Sequence, residues 1–241
     1  MVKKETSPAK FASQEKLYVT LREKEGRLYS DNEVKKLPDI DKGHLLAKEW
    51  KARKHSSGKL IKYFTGLERP LNVLEIGCGN GWFCNQLSSV HGVNVTGVDI
   101  NMVELEQADR VFGSSTNVGF IYVDIFEDIL PPKSFDAIVL GSSLQYFSDP
   151  IKLIERLLSF LKDKGEVHIF DSPIYNTPQE ASDARERSAK YFEKFGAEEM
   201  TQYYNHHTYA FLEKFRHIVI RPNFLERIVG NSQFPWVIIK G

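Results

Sequence analysis

The chain has 241 residues, 32 basic and 32 acidic side chains, and a formal net charge of zero. At about 150 residues per domain this is one large domain, or one domain with appendages. Its 41% hydrophobic and 12% aromatic content can build a sizeable core. Wholesale disorder is excluded, and the charge balance argues against a nucleic-acid binder that works by bulk charge.

Two cysteines, Cys78 and Cys84, are too few for a disulfide scaffold and lack partners at zinc-ligand spacing. The basic N-terminus has no apolar core of the signal-peptide type, and no apolar run reaches the ~18 residues of a membrane span. The expectation is a cytoplasmic protein with no metal site and no membrane contact. Self-association into a homodimer is left open.

Residues 1–43 are polar and rich in Lys and Glu, with weak periodicity at Phe11, Leu17, Tyr18 and Leu21. They read as a flexible start, a short helix, then irregular chain through Pro38. Between His44 and Gly66, Leu46, Trp50, Leu60, Ile61 and Phe64 recur at helical spacing, with Gly66 as the cap. A helical lead-in over 1–66 thus precedes a domain over 67–241. In that domain strands are expected at Asn72–Ile76, Val93–Asp99, Phe120–Asp124, Phe135–Leu140 and Glu166–Asp171. Helices are expected at Trp82–Val90, Asn101–Phe112 and Ile151–Leu161. This alternation predicts a Rossmann-like, doubly wound α/β fold around a mostly parallel seven-stranded sheet. Residues 172–215 break the rhythm with a polar helix near Gln179–Phe195 and then an aromatic stretch, and read as a lid insertion. His217–Ile220 and Pro235–Lys240 are joined too closely for a crossover, so the last pair is expected to be antiparallel.

The sharpest motif is Val73-Leu74-Glu75-Ile76-Gly77-Cys78-Gly79-Asn80-Gly81. Glycines between a strand and a helix permit a tight turn and close approach of a ligand, and the helix start presents free N–H groups. Gly-x-Gly-x-Gly differs from both the dinucleotide and the P-loop spacings. About 20 residues on, Asp99 ends the second strand, where a carboxylate can accept both hydroxyls of a ribose or cap the next helix. Asp124 ends the third strand before Ile125 and Phe126, a pattern that suits an adenine ring or an ordinary turn.

Together these residues resemble the class I S-adenosylmethionine-dependent methyltransferases, most closely those acting on small molecules. Phe135–Val139 with Leu140–Phe147, and Leu157 through Lys164–Val167, match further family motifs; the resemblance is good over about residues 70–171. It implies S-adenosylmethionine as cofactor. The glycine loop (Gly77, Cys78, Gly79, Asn80, Gly81) and Glu75 would hold its methionyl part. Asp99 and Ile100 would hold ribose and adenine, and Asp124, Ile125 and Phe126 the other adenine face and edge. Leu140, Gly141 and Ser142 would line the sulfonium side. Tyr29, Trp50 and Arg53 could close over the cofactor, with Arg53 either pairing with its carboxylate or standing as a solvated helix charge.

Methyl transfer from a sulfonium relieves charge, so positioning and water exclusion carry much of it, and a base is needed only for a protonated nucleophile. Candidate bases are His207, His206 and Asp171, with Tyr146 and Tyr175 behind them; a histidine titrates near neutrality. No Pro-Pro-Tyr, Pro-Pro-Phe or Pro-Cys follows the fourth strand, which disfavours base-modifying chemistry. The expected activity is methyl transfer to O or N of a small-molecule acceptor. The alternatives are a nicotinamide-dependent oxidoreductase and a non-catalytic S-adenosylmethionine-binding protein.

Overall fold

A computed structural model describes residues 2–127, 129–224, 226 and 233–241. The strands are β1 (Lys3–Lys4), β2 (Leu71–Ile76), β3 (Val93–Asp99), β4 (Val118–Tyr122), β5 (Phe135–Gly141), β6 (Leu161–Phe170), β7 (Ile174–Tyr175), β8 (His207–Thr208), β9 (His217–Ile220) and β10 (Trp236–Lys240). The α-helices are α1 (Ala12–Lys24), α2 (Asp31–Val34), α3 (Ala47–Thr65), α4 (Trp82–Ser88), α5 (Met102–Phe112), α6 (Pro150–Phe160) and α7 (Pro178–Lys194).

Eight strands form the main sheet in the order β1-β4-β3-β2-β5-β6-β10-β9. All pairs are parallel except those of β10, which runs antiparallel to both β6 and β9. Seven of these strands are the expected ones. The eighth, β1, adds parallel to β4 at the edge, with Lys3 opposite Ile121. Its two exposed lysines carry no hydrophobic pattern, because pairing there is by backbone alone.

The sheet is covered on both faces, as its apolar strands demand. Val73, Val95, Ala137 and Val139 point to the side packed by α3, α4 and α5. Leu74, Ile76, Val98, Ile138 and Leu140 point to the side packed by α6. Helix α6 begins where Asp149 accepts the N–H groups of Ile151 and Lys152, both at 3.0 Å, with Pro150 preset for the first turn. It buries Leu153, Ile154, Leu157 and Phe160, each worth about 1.5–3 kcal/mol.

Between β6 and β9 lies the insertion, made of α7, two 3₁₀ segments and a small parallel sheet of β7 and β8. Its Ile174, Phe211 and Leu212 join the core on the α6 side of the sheet, while Phe192, Ala197 and Met200 bury Leu21 of α1. The N-terminal helix and the insertion therefore pack on each other, and they do so above the carboxyl ends of the parallel strands. Among the described residues, no helix is long and apolar enough to cross a membrane.

Candidate active site

A cavity of about 560 Å³ opens at the carboxyl ends of β2, β3, β4, β5 and β6, where open α/β sheets place ligands. Its floor is the turn from β2 into α4. Gly77, Gly79 and Gly81 all have positive φ, at 71°, 52° and 73°. Beside Gly79 the space is open except for the Glu104 carboxyl, 3.2 Å from where a Cβ would stand. At Gly81 a Cβ would fall 2.7 Å from Phe120 and 2.8 Å from Ala108, and this residue is not in the cavity wall. Gly81 serves loop packing, whereas Gly79 leaves room for a ligand.

Four acids surround that loop. Asp99 accepts the N–H groups of Gly79 (2.8 Å), Ile100 (2.7 Å) and Asn101 (2.9 Å). Burial nevertheless raises its pKa. Glu75 is almost fully buried and accepts a hydrogen bond from the Cys84 thiol at 2.9 Å. Burial and then the Asp99 charge push its pKa up to about 8. Asp124 accepts from Lys10 at 2.7 Å and from the Phe126 N–H at 3.0 Å, and its own N–H donates to Thr6 at 2.8 Å. Ile125 is buried next to it, while Phe126 is 39% exposed at the rim. Glu104, which sequence reading missed, is the fourth.

The opposite wall is cationic and aromatic. Arg22, Arg27 and Arg53 alternate with Glu25 and Glu49: Arg22–Glu25 at 2.7 Å, Arg27–Glu25 at 3.3 Å, Arg27–Glu49 at 2.8 Å and Arg53–Glu49 at 3.1 Å. Although burial alone would raise it, the bond from Arg27 and the charge of Arg53 hold Glu49 down at about 2. Three cations and two anions leave one surplus positive charge on this ribbon. Arg53 is thus tied to Glu49 in the cavity wall and is not a solvated helix charge. Tyr29 and Trp50 join the same wall, linked by a 2.8 Å bond from the indole N–H to the phenol. Tyr146 packs edge-on against Tyr18 at 5.8 Å and Tyr204 at 5.7 Å.

Asp171 follows β6 directly and lines the cavity. Its φ is 51°, and Ser142 next to it has φ 58°; Ser142 Oγ donates to the Asp171 carbonyl at 2.9 Å. Both residues stand in the left-handed region that favours glycine, as Glu68, Lys133 and Lys164 do outside the cavity. Ser56 of α3 donates to Asp171 Oδ2 at 2.6 Å. Burial raises the Asp171 pKa to about 6.

The two histidines lie elsewhere. Neither His206 nor His207 is in the cavity wall, contrary to the expectation that one of them faces the acceptor. His207 Nε2 is bonded to the Phe147 carbonyl at 2.9 Å, and His206 Nε2 to Ser188 at 2.9 Å. Burial, then the charge of Arg185, lowers His206 to about 4, and burial lowers His207 as well. His207 thus ties the insertion to the chain after β5, and His206 bonds within the insertion. Leu140 is likewise outside the wall, fully buried in the core under α6, while Gly141 and Ser142 do line the cavity. Among the described residues no group of three or more His, Cys, Asp or Glu is arranged to hold a metal ion.

A protein family described as a methyltransferase domain matches residues 49–234, from the start of α3 to the last strand pair. The chain belongs to the S-adenosylmethionine-dependent methyltransferases. Malonyl-[acyl-carrier protein] O-methyltransferase 1 of Ilyobacter polytropus is 29% identical over 191 residues, covering 75% of this chain and 71% of the relative. The corresponding enzyme of Halalkalibacterium halodurans is 32% identical over 102 residues, but only 41% of this chain and 38% of the relative are aligned. Among solved structures, the plantazolicin methyltransferase BpumL in complex with S-adenosylhomocysteine is similar in fold. It has a TM-score of 0.57 and 16% identity, and the match covers 97% of this chain and 98% of that one.

This methyltransferase has a cavity whose chemistry fits its cofactor. An open cradle beside Gly79 faces buried carboxyls suited to hydroxyl donors. Asp124 and the apolar Ile125 and Phe126 suit a purine, and the arginine ribbon suits an amino-acid carboxylate. Arg22, Arg27 and Glu104 escaped sequence reading for different reasons. The first two reach the site only through tertiary packing. Glu104 carries a local signal, being one helical turn beyond the Asn101 cap that follows Asp99.

Proposed function

We propose that this methyltransferase transfers the methyl group of S-adenosylmethionine to oxygen or nitrogen of a small-molecule acceptor held beneath residues 172–215. The observation that carries this is one continuous cavity running from the glycine loop to Asp171, Met200 and Tyr204 under the insertion. In this reading residues 1–66 form a cap, and the insertion is a lid.

When bound, the cofactor supplies an electrophilic methyl group on sulfur. Glu75, Gly77, Cys78, Gly79, Asn80 and Arg53 would hold its amino-acid part. Asp99 and Ile100 would hold the ribose side, Asp124, Ile125 and Phe126 the adenine, and Gly141 and Ser142 the reacting end. The Asp171 carboxylate takes the proton from the acceptor hydroxyl or amine. With a pKa of about 6 it is ionised at neutral pH yet basic enough for the task. Tyr18, Tyr146 and Tyr204 enclose the acceptor and exclude water, so each charge inside acts in a poorly screened medium.

A second reading is favoured by the surplus charge on the arginine ribbon and by the Ilyobacter relative, named for malonyl-[acyl-carrier protein]. Here the acceptor is a carboxylate delivered on a carrier protein. A carboxylate arrives deprotonated and needs no base. Labelled-methyl transfer to a panel of alcohols, phenols and amines, run beside malonyl-loaded carrier protein, tests the two. In the first reading Asp171→Asn loses transfer to the preferred acceptor by about 10²- to 10⁴-fold. An undiminished rate on the carrier-bound carboxylate, with none on the panel, selects the second.

A further inference from the structure

Asp99 has less to offer a ribose than its place at the end of β3 suggests. A carboxylate has about four lone-pair sites. Oδ1 already accepts the N–H groups of Ile100 and Asn101, and Oδ2 accepts that of Gly79. One site remains, whereas a ribose cis-diol brings two hydroxyl donors.

Glu104 stands ready beside it. Asn101 caps α5 by accepting the Glu104 N–H at 3.2 Å, and its amide donates to Glu104 Oε2 at 3.1 Å. The side chain is thereby turned back toward Gly79, the glycine whose N–H Asp99 holds. Both carboxyls line the cavity.

We propose that Glu104 is a second ribose-binding residue, so that Asp99 accepts one hydroxyl of the diol and Glu104 the other. This rests on the placement of the ribose over Asp99. Facing Glu104 are Asp99 at the end of β3, Cys78 of the loop, Glu15, Tyr18 and Arg22 of α1, and Arg53 of α3. Burial and then the Asp99 charge raise its pKa to about 7, against the pull of Arg22 and Arg53. A hydroxyl that donates to a carboxylate favours the ionised form. Ribose binding therefore drives a proton off Glu104.

The test is calorimetry with S-adenosylhomocysteine, whose sulfur carries no charge, and with its 2′-deoxy and 3′-deoxy analogues. Measurements at pH 7 in two buffers of different ionisation enthalpy count the protons released. The wild type releases more protons than Glu104→Gln, in which only other groups of the cavity, Glu75 with its pKa of about 8 among them, still contribute. Each deoxy analogue binds the wild type about 10- to 100-fold more weakly than the parent. In Glu104→Met one of the two analogues suffers no such loss. Proton release as large in Glu104→Gln as in the wild type, or two hydroxyls that keep their full effect in Glu104→Met, overturns the proposal. Undiminished affinity of Asp99→Ala overturns the ribose placement itself, and the proposal with it.

Discussion

Asp171 joins three properties in one carboxyl: a positive φ, a 2.6 Å bond from Ser56, and a pKa raised by burial to about 6. Used as a base it must be ionised, so activity on a hydroxyl or amine acceptor should rise with pH through about 6. That acid limb should vanish in Asp171→Asn, while S-adenosylhomocysteine affinity stays unchanged. The same shift has a cost in stability. A carboxyl whose folded pKa lies above its unfolded value favours folding when protonated, and loses that advantage as pH rises through the folded pKa. Asp171→Asn should therefore raise Tm at pH 8 and do little at pH 4, which thermal melts at the two pH values would show. The histidines behave differently. His207→Ala removes a bond to the Phe147 carbonyl, so a loss of about 1–3 kcal/mol in stability is expected. A shifted acid limb in that variant would return His207 to the chemistry.

At the scale of elements, the glycine turn combines a binding position with a packing position. Gly81→Ala places a methyl group into Phe120 and Ala108 at a φ that L residues avoid. It should cost more than about 1 kcal/mol of stability, read as a lower denaturation midpoint. Most core elements were legible because their cause is local. Asn72–Ile76 and Phe135–Leu140 are apolar runs that only a doubly covered sheet can bury, and Asp149-Pro150 announces α6. What was not legible has non-local causes. Lys3–Lys4 becomes a strand because the edge of β4 accepts it. Ser56 looks like any helix serine until α3 docks against β6. The pair His206-His207 has the right chemistry for a base, but composition cannot say that its ring nitrogens turn toward Phe147 and Ser188. Ser30 and Glu33, whose capping box starts α2, were readable and passed over.

At the scale of the whole molecule, the parallel sheet supplies a floor, and two remote segments supply a roof. Leu21 of α1 is buried by Phe192, Ala197 and Met200, while Thr6 and Lys10 tie the preceding chain to Asp124. Removal of residues 1–24 takes away the two-residue edge strand β1 but should leave the other seven strands folded by circular dichroism. It should weaken S-adenosylhomocysteine binding by more than about tenfold, since Phe11, Tyr18 and Arg22 leave the cavity wall with it. An unchanged affinity would show that the floor alone binds the cofactor.

The mutual packing of α1 and the insertion bears on how fast the enzyme can cycle. If the insertion is the proposed lid, spent cofactor and methylated product leave past a joint held by one small apolar cluster and by the Tyr191–Glu25 and Lys24–Phe195 hydrogen bonds, and that joint would open in every round. Chemistry should then outrun departure. Rapid mixing should show a burst approaching one methylated product per active chain, followed by a slower phase. Loosening the joint with Leu21→Ala should speed that later phase while leaving the burst rate unchanged.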